Sequence, residues 1–103
     1  MAQLVVMYKT PKYTAAFDKY YFEKHAVLAK KIPGLRKYEI SQGPVIASPG
    51  GPSDYHFVAL LHFDNLAAIQ AAFASAEGQA TAVDVQNFAS GGADMFMFDT
   101  RDA

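Results

Sequence analysis

The chain contains no cysteine, and this absence excludes several kinds of protein at once. Disulfide frameworks, thiolate zinc sites, iron–sulfur clusters and cysteine nucleophiles all require that residue. An excess of positive charge is missing too, since 9 lysines and arginines face 10 aspartates and glutamates. We therefore expect no nucleic-acid partner.

Long hydrophobic runs are also lacking. The apolar segments fall short of the ~20 residues that a membrane-spanning helix needs, so we expect no insertion into a membrane. The N-terminus, MAQLVVMYK, has no basic region before its short apolar run. That pattern is typical of a strand rather than a signal peptide. We expect a cytoplasmic protein.

The residues that are present indicate a globular chain. Hydrophobic residues make up 51% of the 103 residues and charged residues 18%. This length is enough to bury one core, and this composition is not that of a disordered chain. We predict a single domain over residues 1–103.

Hydrophobic periodicity predicts four strands and two helical regions. The elements are strands over residues 4–9, 35–42, 55–63 and 95–98, a helix over 17–35, a helix ending near 73, a helix over 76–88, and a Pro- and Gly-rich connection over 43–54. The first and third strands are largely apolar on both faces, as central strands are. The second is more polar and is expected at a sheet edge.

The element order, β-α-β-β-α-β, predicts an α+β protein with a ferredoxin-like sandwich. In this arrangement the helices cover one face of a four-stranded antiparallel sheet. The first, third and fourth strands are apolar on both sides, and an apolar sheet face of that size should not stay in water. We therefore expect a homodimer whose two sheets pack face to face with C2 symmetry. A pocket is expected between the sheet and the helices.

The helix predicted over residues 17–35 carries the main functional clue. Its apolar stripe places one titratable group, His25, among hydrophobic side chains. Thr14 is expected to cap the start of this helical region and Pro33-Gly34 to end it. The stripe consists of Phe17, Tyr21, Leu28 and Ile32.

Three residues form the candidate catalytic set. His25 beside an apolar cavity could act as a general acid or base, although a core histidine bonded to a carbonyl or a tyrosine fits the same pattern. Tyr21 lies one turn earlier and offers a phenol to a substrate oxygen, as Tyr8 and Tyr20 also do; core tyrosines with polar tips are the alternative. Asp84, on the inner edge of the second helical region, could orient His25 or simply be a cap or a surface residue.

The sequence shows no pattern typical of a metal or cofactor site. His56 and His62 share one strand face but are six residues apart, roughly 20 Å, so they cannot hold one metal ion together. Gly50-Gly51 does not open a helix, as a phosphate-binding loop would. We predict no metal and no cofactor.

Several short motifs resemble, in order and spacing, those of the EthD family, which is named for a gene cluster that degrades ethyl tert-butyl ether. The later stretches around Asp64, Glu77-Gly78 and Asn87-Phe88 fit too. Nearly the whole chain is covered. The main motifs are Tyr8-Lys9-Thr10-Pro11, Phe17-Asp18-x-Tyr20-Tyr21, His25-Ala26-x-Leu28-Ala29 and Ile32-Pro33-Gly34-Leu35.

This resemblance implies a dimeric α+β barrel. Relatives with that barrel include cofactor-free monooxygenases acting on polyketides, muconolactone isomerases and polyketide cyclases, and they bind small, fairly apolar, ring-shaped molecules; extending their function to this chain is fold-level analogy. One departure is Val27, where the family commonly has proline. The helix is therefore expected to be straighter at that point.

Three hypotheses about function follow. The first is a cofactor-free homodimer that acts on a small apolar or aromatic compound, as an oxygenase, isomerase or cyclase with His25 as acid or base. The second is a non-catalytic accessory or carrier for an oxygenase system. The third is a purely structural role. A small-molecule site predicts a cavity of roughly 300 Å³ beside His25, whereas a structural role predicts both ring nitrogens bonded in a packed core.

Overall fold

The computed structural model describes all 103 residues and contains one four-stranded antiparallel sheet. Its spatial order is β2-β3-β1-β4, so the first and third strands are central and the second lies at an edge. The ferredoxin-like α+β prediction is confirmed. The strands are β1 (Ala2–Lys9), β2 (Lys37–Ile40), β3 (Tyr55–Phe63) and β4 (Ala93–Asp99).

The two central strands supply the floor of the hydrophobic core. Alternate side chains of β1 and β3 point towards the helices and are buried, as the period of two requires. Leu4 pairs with Leu61, and Val6 with Ala59. Each fully buried Leu or Val contributes about 1.5–3 kcal/mol to the free energy of unfolding.

The first helical region differs from the uninterrupted α-helix that the sequence predicts. It consists of α1 (Thr14–Tyr20), a π-helical turn (Tyr21–His25) and α2 (Ala26–Ala29). The N–H of Ala26 donates to the carbonyl of Tyr21, five residues earlier. This wider turn directs Tyr21, His25 and Ala26 inwards together. The expected uninterrupted α-helix was therefore wrong, and so was the Thr14 cap, because Thr14 is the first helical residue and Tyr13 precedes it without a side-chain cap.

Each of the two α-helices in the second helical region begins with a side-chain cap. Asn65 accepts a hydrogen bond from Ala68 N–H before α3 (Leu66–Ala74), and Ser75 accepts one from Gly78 N–H before α4 (Ala76–Asp84). At Gly78 a Cβ atom would lie 2.1 Å from the carbonyl oxygen of Ala72. Glycine is therefore needed where α4 turns against α3. A 3₁₀ turn (Val85–Asn87) follows.

The other face of the sheet has no covering layer within the chain. Phe96 and Phe98 of β4 lie on this open face, in register with Val5 and Gln3 of β1. The two phenylalanines are 57% and 42% exposed. None of the helices has the length and apolar character needed to cross a membrane.

Candidate functional site

His25 lies on the inner side of the first helical region, at the end of the π-helical turn. Asp84, the last residue of α4, meets it there. His25 is buried, and its Nδ1 atom lies 2.9 Å from Oδ2 of Asp84. The ring packs against Phe88 and Tyr21, with ring centroids 4.6 Å and 5.2 Å away. The imidazole is therefore held on both sides and has little rotational freedom.

Asp84 is buried but has a hydrogen-bond donor at each of its oxygens. Oδ1 accepts from the hydroxyl of Tyr20 at 2.7 Å and from Nδ2 of Asn87 at 3.0 Å. Burial alone would raise the pKa of Asp84, but the hydrogen bonds from Asn87, Tyr20 and His25 outweigh it and lower that pKa. Asp84 is therefore a carboxylate at neutral pH.

The same surroundings favour the neutral form of His25. Burial lowers the pKa of His25, and the hydrogen bond that its ring donates to Asp84 only partly offsets this. The imidazole is therefore neutral at pH 7. Because an ionised carboxylate only accepts hydrogen bonds, Nδ1 carries the proton and donates to Asp84. Nε2 keeps its lone pair, because the hydrogen bond of the His25 ring runs through Nδ1.

A cavity of about 120 Å³ lies beside this imidazole, between the sheet and the helices. Thirteen of its 14 lining residues are hydrophobic, and His25 is the exception. Met95 and Met97 of β4 line it while remaining about half exposed, so the cavity reaches the surface there. Its volume is smaller than the roughly 300 Å³ expected from typical ligand pockets. It is close to the ~150 Å³ of an engineered protein cavity that holds benzene.

Three tyrosines supply the remaining polar atoms of the cavity. Tyr8, Tyr21 and Tyr38 all line it. The hydroxyls of Tyr21 and Tyr38 are hydrogen-bonded to each other, whereas no hydrogen bond involves the hydroxyl of Tyr8. Because every fully enclosed side-chain nitrogen and oxygen has a partner, the hydroxyl of Tyr8 reaches accessible space. Burial raises the pKa of all three phenols, so they remain protonated. They are hydrogen-bond donors at any physiological pH.

The other two histidines are held elsewhere. His56 bonds to Asp18 at 2.7 Å, and His62 bonds to Glu39 at 3.0 Å. No group of three or more His, Asp or Glu side chains is arranged to hold a metal ion.

The structure gathers the three residues that the sequence singles out, Tyr21, His25 and Asp84, around one point. Tyr8 joins them at the cavity, while Tyr20 contacts Asp84 instead. Tyr38 was missed. The alternation of β2 gave no indication of which of its faces meets the helices, and only the pairing of β2 with β3 sets that orientation.

The fold and the site together define a class: a ferredoxin-like α+β protein with an apolar cavity beside a buried histidine–aspartate pair. Within that class, residues 9–92 match the EthD domain. The chain belongs to the EthD family, as the sequence motifs predict.

Two relatives resemble the chain over nearly its full length. An uncharacterized 11.0 kDa protein in the thcB–thcC intergenic region of Rhodococcus erythropolis is 38% identical over 99 residues, which is 96% of this chain and 94% of that protein. The crystal structure of an EthD family protein from Bacillus halodurans has a TM-score of 0.88 and 31% identity, covering 98% of this chain and 99% of that one.

More distant solved structures share the fold alone. SnoaB from Streptomyces nogalater, described as a cofactor-independent oxygenase, has a TM-score of 0.68 and 16% identity, with 99% of this chain and 94% of that one covered. Two other proteins of this fold, at 13% and 15% identity, are described as dimeric proteins of unknown function.

Proposed function

We propose that this protein binds a small, uncharged, largely apolar compound in the cavity and transfers a proton on it through His25. One observation carries the proposal: Nε2 of a neutral imidazole is unpartnered beside an apolar cavity, while Nδ1 is held by a carboxylate. A buried base with this arrangement needs no cofactor to accept a proton. Proton transfer by such a group contributes about 10²- to 10⁴-fold to a rate.

Each residue of the candidate set has a separate role in this proposal. His25 is the catalytic base and, after it has taken up a proton, the acid. Asp84 is a positioning residue that fixes the tautomer and stabilises the imidazolium that forms. Tyr21 faces the cavity and donates a hydrogen bond to the bound compound.

Removing a proton from a small compound is a first step shared by cofactor-free oxygenation, isomerisation and cyclisation. SnoaB, which shares the fold, is described as a cofactor-independent oxygenase, and this likeness supports that range of reactions as an analogy. The cavity volume of about 120 Å³ favours compounds the size of one ring over larger polycyclic ones.

The same proposal includes a homodimer built through the open sheet face. Phe96 and Phe98 are exposed there in the single chain, on an edge strand that is apolar on both sides. Such a surface is an aggregation hazard unless something covers it. A second copy related by C2 symmetry would bury both phenylalanines of each chain.

A non-catalytic carrier for an oxygenase system is the second candidate, in keeping with the ether-degradation setting of the family name. The observation that favours it is the lining of the cavity, which holds an apolar compound whether or not a reaction follows. The two candidates differ in what they require of His25. Catalysis needs its free nitrogen, while carriage needs only the cavity.

The distinguishing experiment follows deuterium exchange into nitroethane, a small uncharged carbon acid, by NMR in D₂O. We expect wild-type protein to accelerate the exchange and His25→Gln to reduce that acceleration by about 10²- to 10⁴-fold. His62→Gln is the matched control, because His62 also bonds to a carboxylate but lies on the open face. Equal rates for the two variants would contradict the base role. Binding of nitroethane without any exchange would establish the carrier.

A further inference from the structure

The polar atoms of the cavity provide a small set of free hydrogen-bond donors and acceptors. Tyr21 and Tyr38 share one hydrogen bond, which uses one of their two hydroxyl protons and leaves the other free. The hydroxyl proton of Tyr8 is also free, because no side chain accepts a hydrogen bond from it. The cavity therefore presents two donors, both from phenols, and one acceptor, Nε2 of His25.

The absence of cationic side chains in the lining further restricts the class of ligand. No lysine or arginine lines the cavity, and the Asp84 carboxylate is paired with the His25 ring that lines it. A carboxylate or phosphate ligand would lose its hydration without gaining a cation. An uncharged ligand avoids that cost.

Tyr8 and Tyr21 are neighbours, with ring centroids 5.8 Å apart, and an oxygen with two lone pairs can accept from both phenol donors. A carbonyl oxygen has both lone pairs and no proton of its own, so it pairs with both phenol donors and leaves Nε2 of His25 free to take a proton. The remaining lining residues, such as Leu4, Leu61 and Phe73, offer only apolar contacts. The rest of the ligand is therefore hydrocarbon.

We infer that the cavity recognises a small neutral ketone or related carbonyl compound, whose oxygen accepts hydrogen bonds from Tyr8 and from the Tyr21–Tyr38 pair. This inference rests on the proposed function, since it names the substrate class of the same site. It also explains how a proton on the neighbouring carbon is activated. When Nε2 of His25 takes that proton, the electron pair of the C–H bond forms the enolate double bond. The negative charge moves to the oxygen, where the phenol donors stabilise it.

The test compares the binding of two molecules of the same shape, cyclopentanone and methylenecyclopentane, by NMR titration. They differ only in an oxygen that accepts hydrogen bonds. We expect wild-type protein to bind the ketone about tenfold more tightly or better, because the hydrocarbon leaves the buried donors unpaired. Tyr8→Phe removes one of the two donors and should reduce this preference by about three- to tenfold.

Two further variants make the result specific. Tyr38→Phe should reduce the preference less than Tyr8→Phe, because the hydroxyl proton of Tyr21 is then free to donate. Tyr13→Phe, an exposed tyrosine away from the cavity, should leave the preference unchanged. Tyr8→Phe removes no hydrogen bond within the chain, so we expect its unfolding in urea to match that of the wild type.

The possible outcomes distinguish the carbonyl assignment from the existence of the small-molecule site. Equal binding of both probes by wild-type protein, or an unchanged preference in Tyr8→Phe, would overturn the carbonyl assignment while leaving the role of His25 in nitroethane exchange intact. If neither probe binds, the small-molecule site itself is refuted, and the carbonyl assignment falls with it.

Discussion

Two histidine–carboxylate pairs lie on opposite faces of the same sheet. Their contact distances are nearly equal, but their surroundings differ. His25 Nδ1 lies 2.9 Å from Asp84, and His62 Nε2 lies 3.0 Å from Glu39. The side chains of the first pair are 5% and 10% exposed, whereas those of the second are 16% and 46% exposed. The second pair also has a lysine, Lys37, 3.6 Å from Glu39.

The comparison shows that the contact alone does not make a functional site. The helical layer over one face desolvates His25, fixes its ring and leaves Nε2 beside a cavity. On the open face nothing from the same chain does this for His62. The environment, rather than the pair, therefore gives His25 the properties of a base.

The largest expected effect comes from replacing the buried carboxylate with an amide, and the same replacement in the exposed pair is the control. Asp84→Asn should lower nitroethane exchange by on the order of 10²- to 10⁴-fold, because an amide no longer fixes the proton on Nδ1. The loss should fall on the maximal rate with little change in the half-saturating nitroethane concentration, as expected of a positioning residue. Glu39→Gln is the control and should exchange at the wild-type rate. A similar loss in both variants would contradict the claim that only the buried pair acts as a base.

A second prediction concerns the open face that carries the His62–Glu39 pair. Phe98→Asp places a charge where we propose that two sheets meet, so we expect sedimentation equilibrium to show a dimer for the wild type and a monomer for this variant. Weakening by about 30-fold or more is expected, since the dimer carries the substitution twice and each partly buried phenylalanine loses about 1 kcal/mol of apolar burial. Val83→Asp, at an exposed apolar position on α4, should remain dimeric. A wild-type monomer at micromolar concentration would contradict the dimer.

The smallest expected effect is the pH dependence of stability. The pKa of His25 is lowered in the folded state, so the unfolded chain binds the proton more readily as the pH falls below the ordinary histidine value of about 6.5. The free energy of unfolding should therefore decrease from pH 7.5 to pH 5.5, by at most about 1.4 kcal/mol per pH unit for this group.

Urea unfolding at the two pH values checks this, with His25→Gln and His62→Gln side by side. His25→Gln should lose the part of the pH dependence that this buried imidazole causes, and His62→Gln should retain it. Asp84 does not interfere, because its lowered pKa places its own contribution at more acidic pH. An unchanged slope in His25→Gln would show that the buried imidazole does not resist protonation.

Much of the fold could be predicted from local patterns. The period of two located β3 over its full length. The boundaries of β2 and β4 were less accurate, because edge strands are set by pairing partners as much as by their own residues.

By itself the sequence determined the order of the elements, the family, the open apolar face and the presence of His25 in an apolar stripe. These features depend on residues close together in the chain, where periodicity and capping act. Only the tertiary structure decided that His25 meets Asp84, 59 residues away, that Tyr38 joins Tyr8 and Tyr21, and that the cavity is small. These contacts arise because two helical regions pack on one sheet and bring together residues that are far apart in the chain.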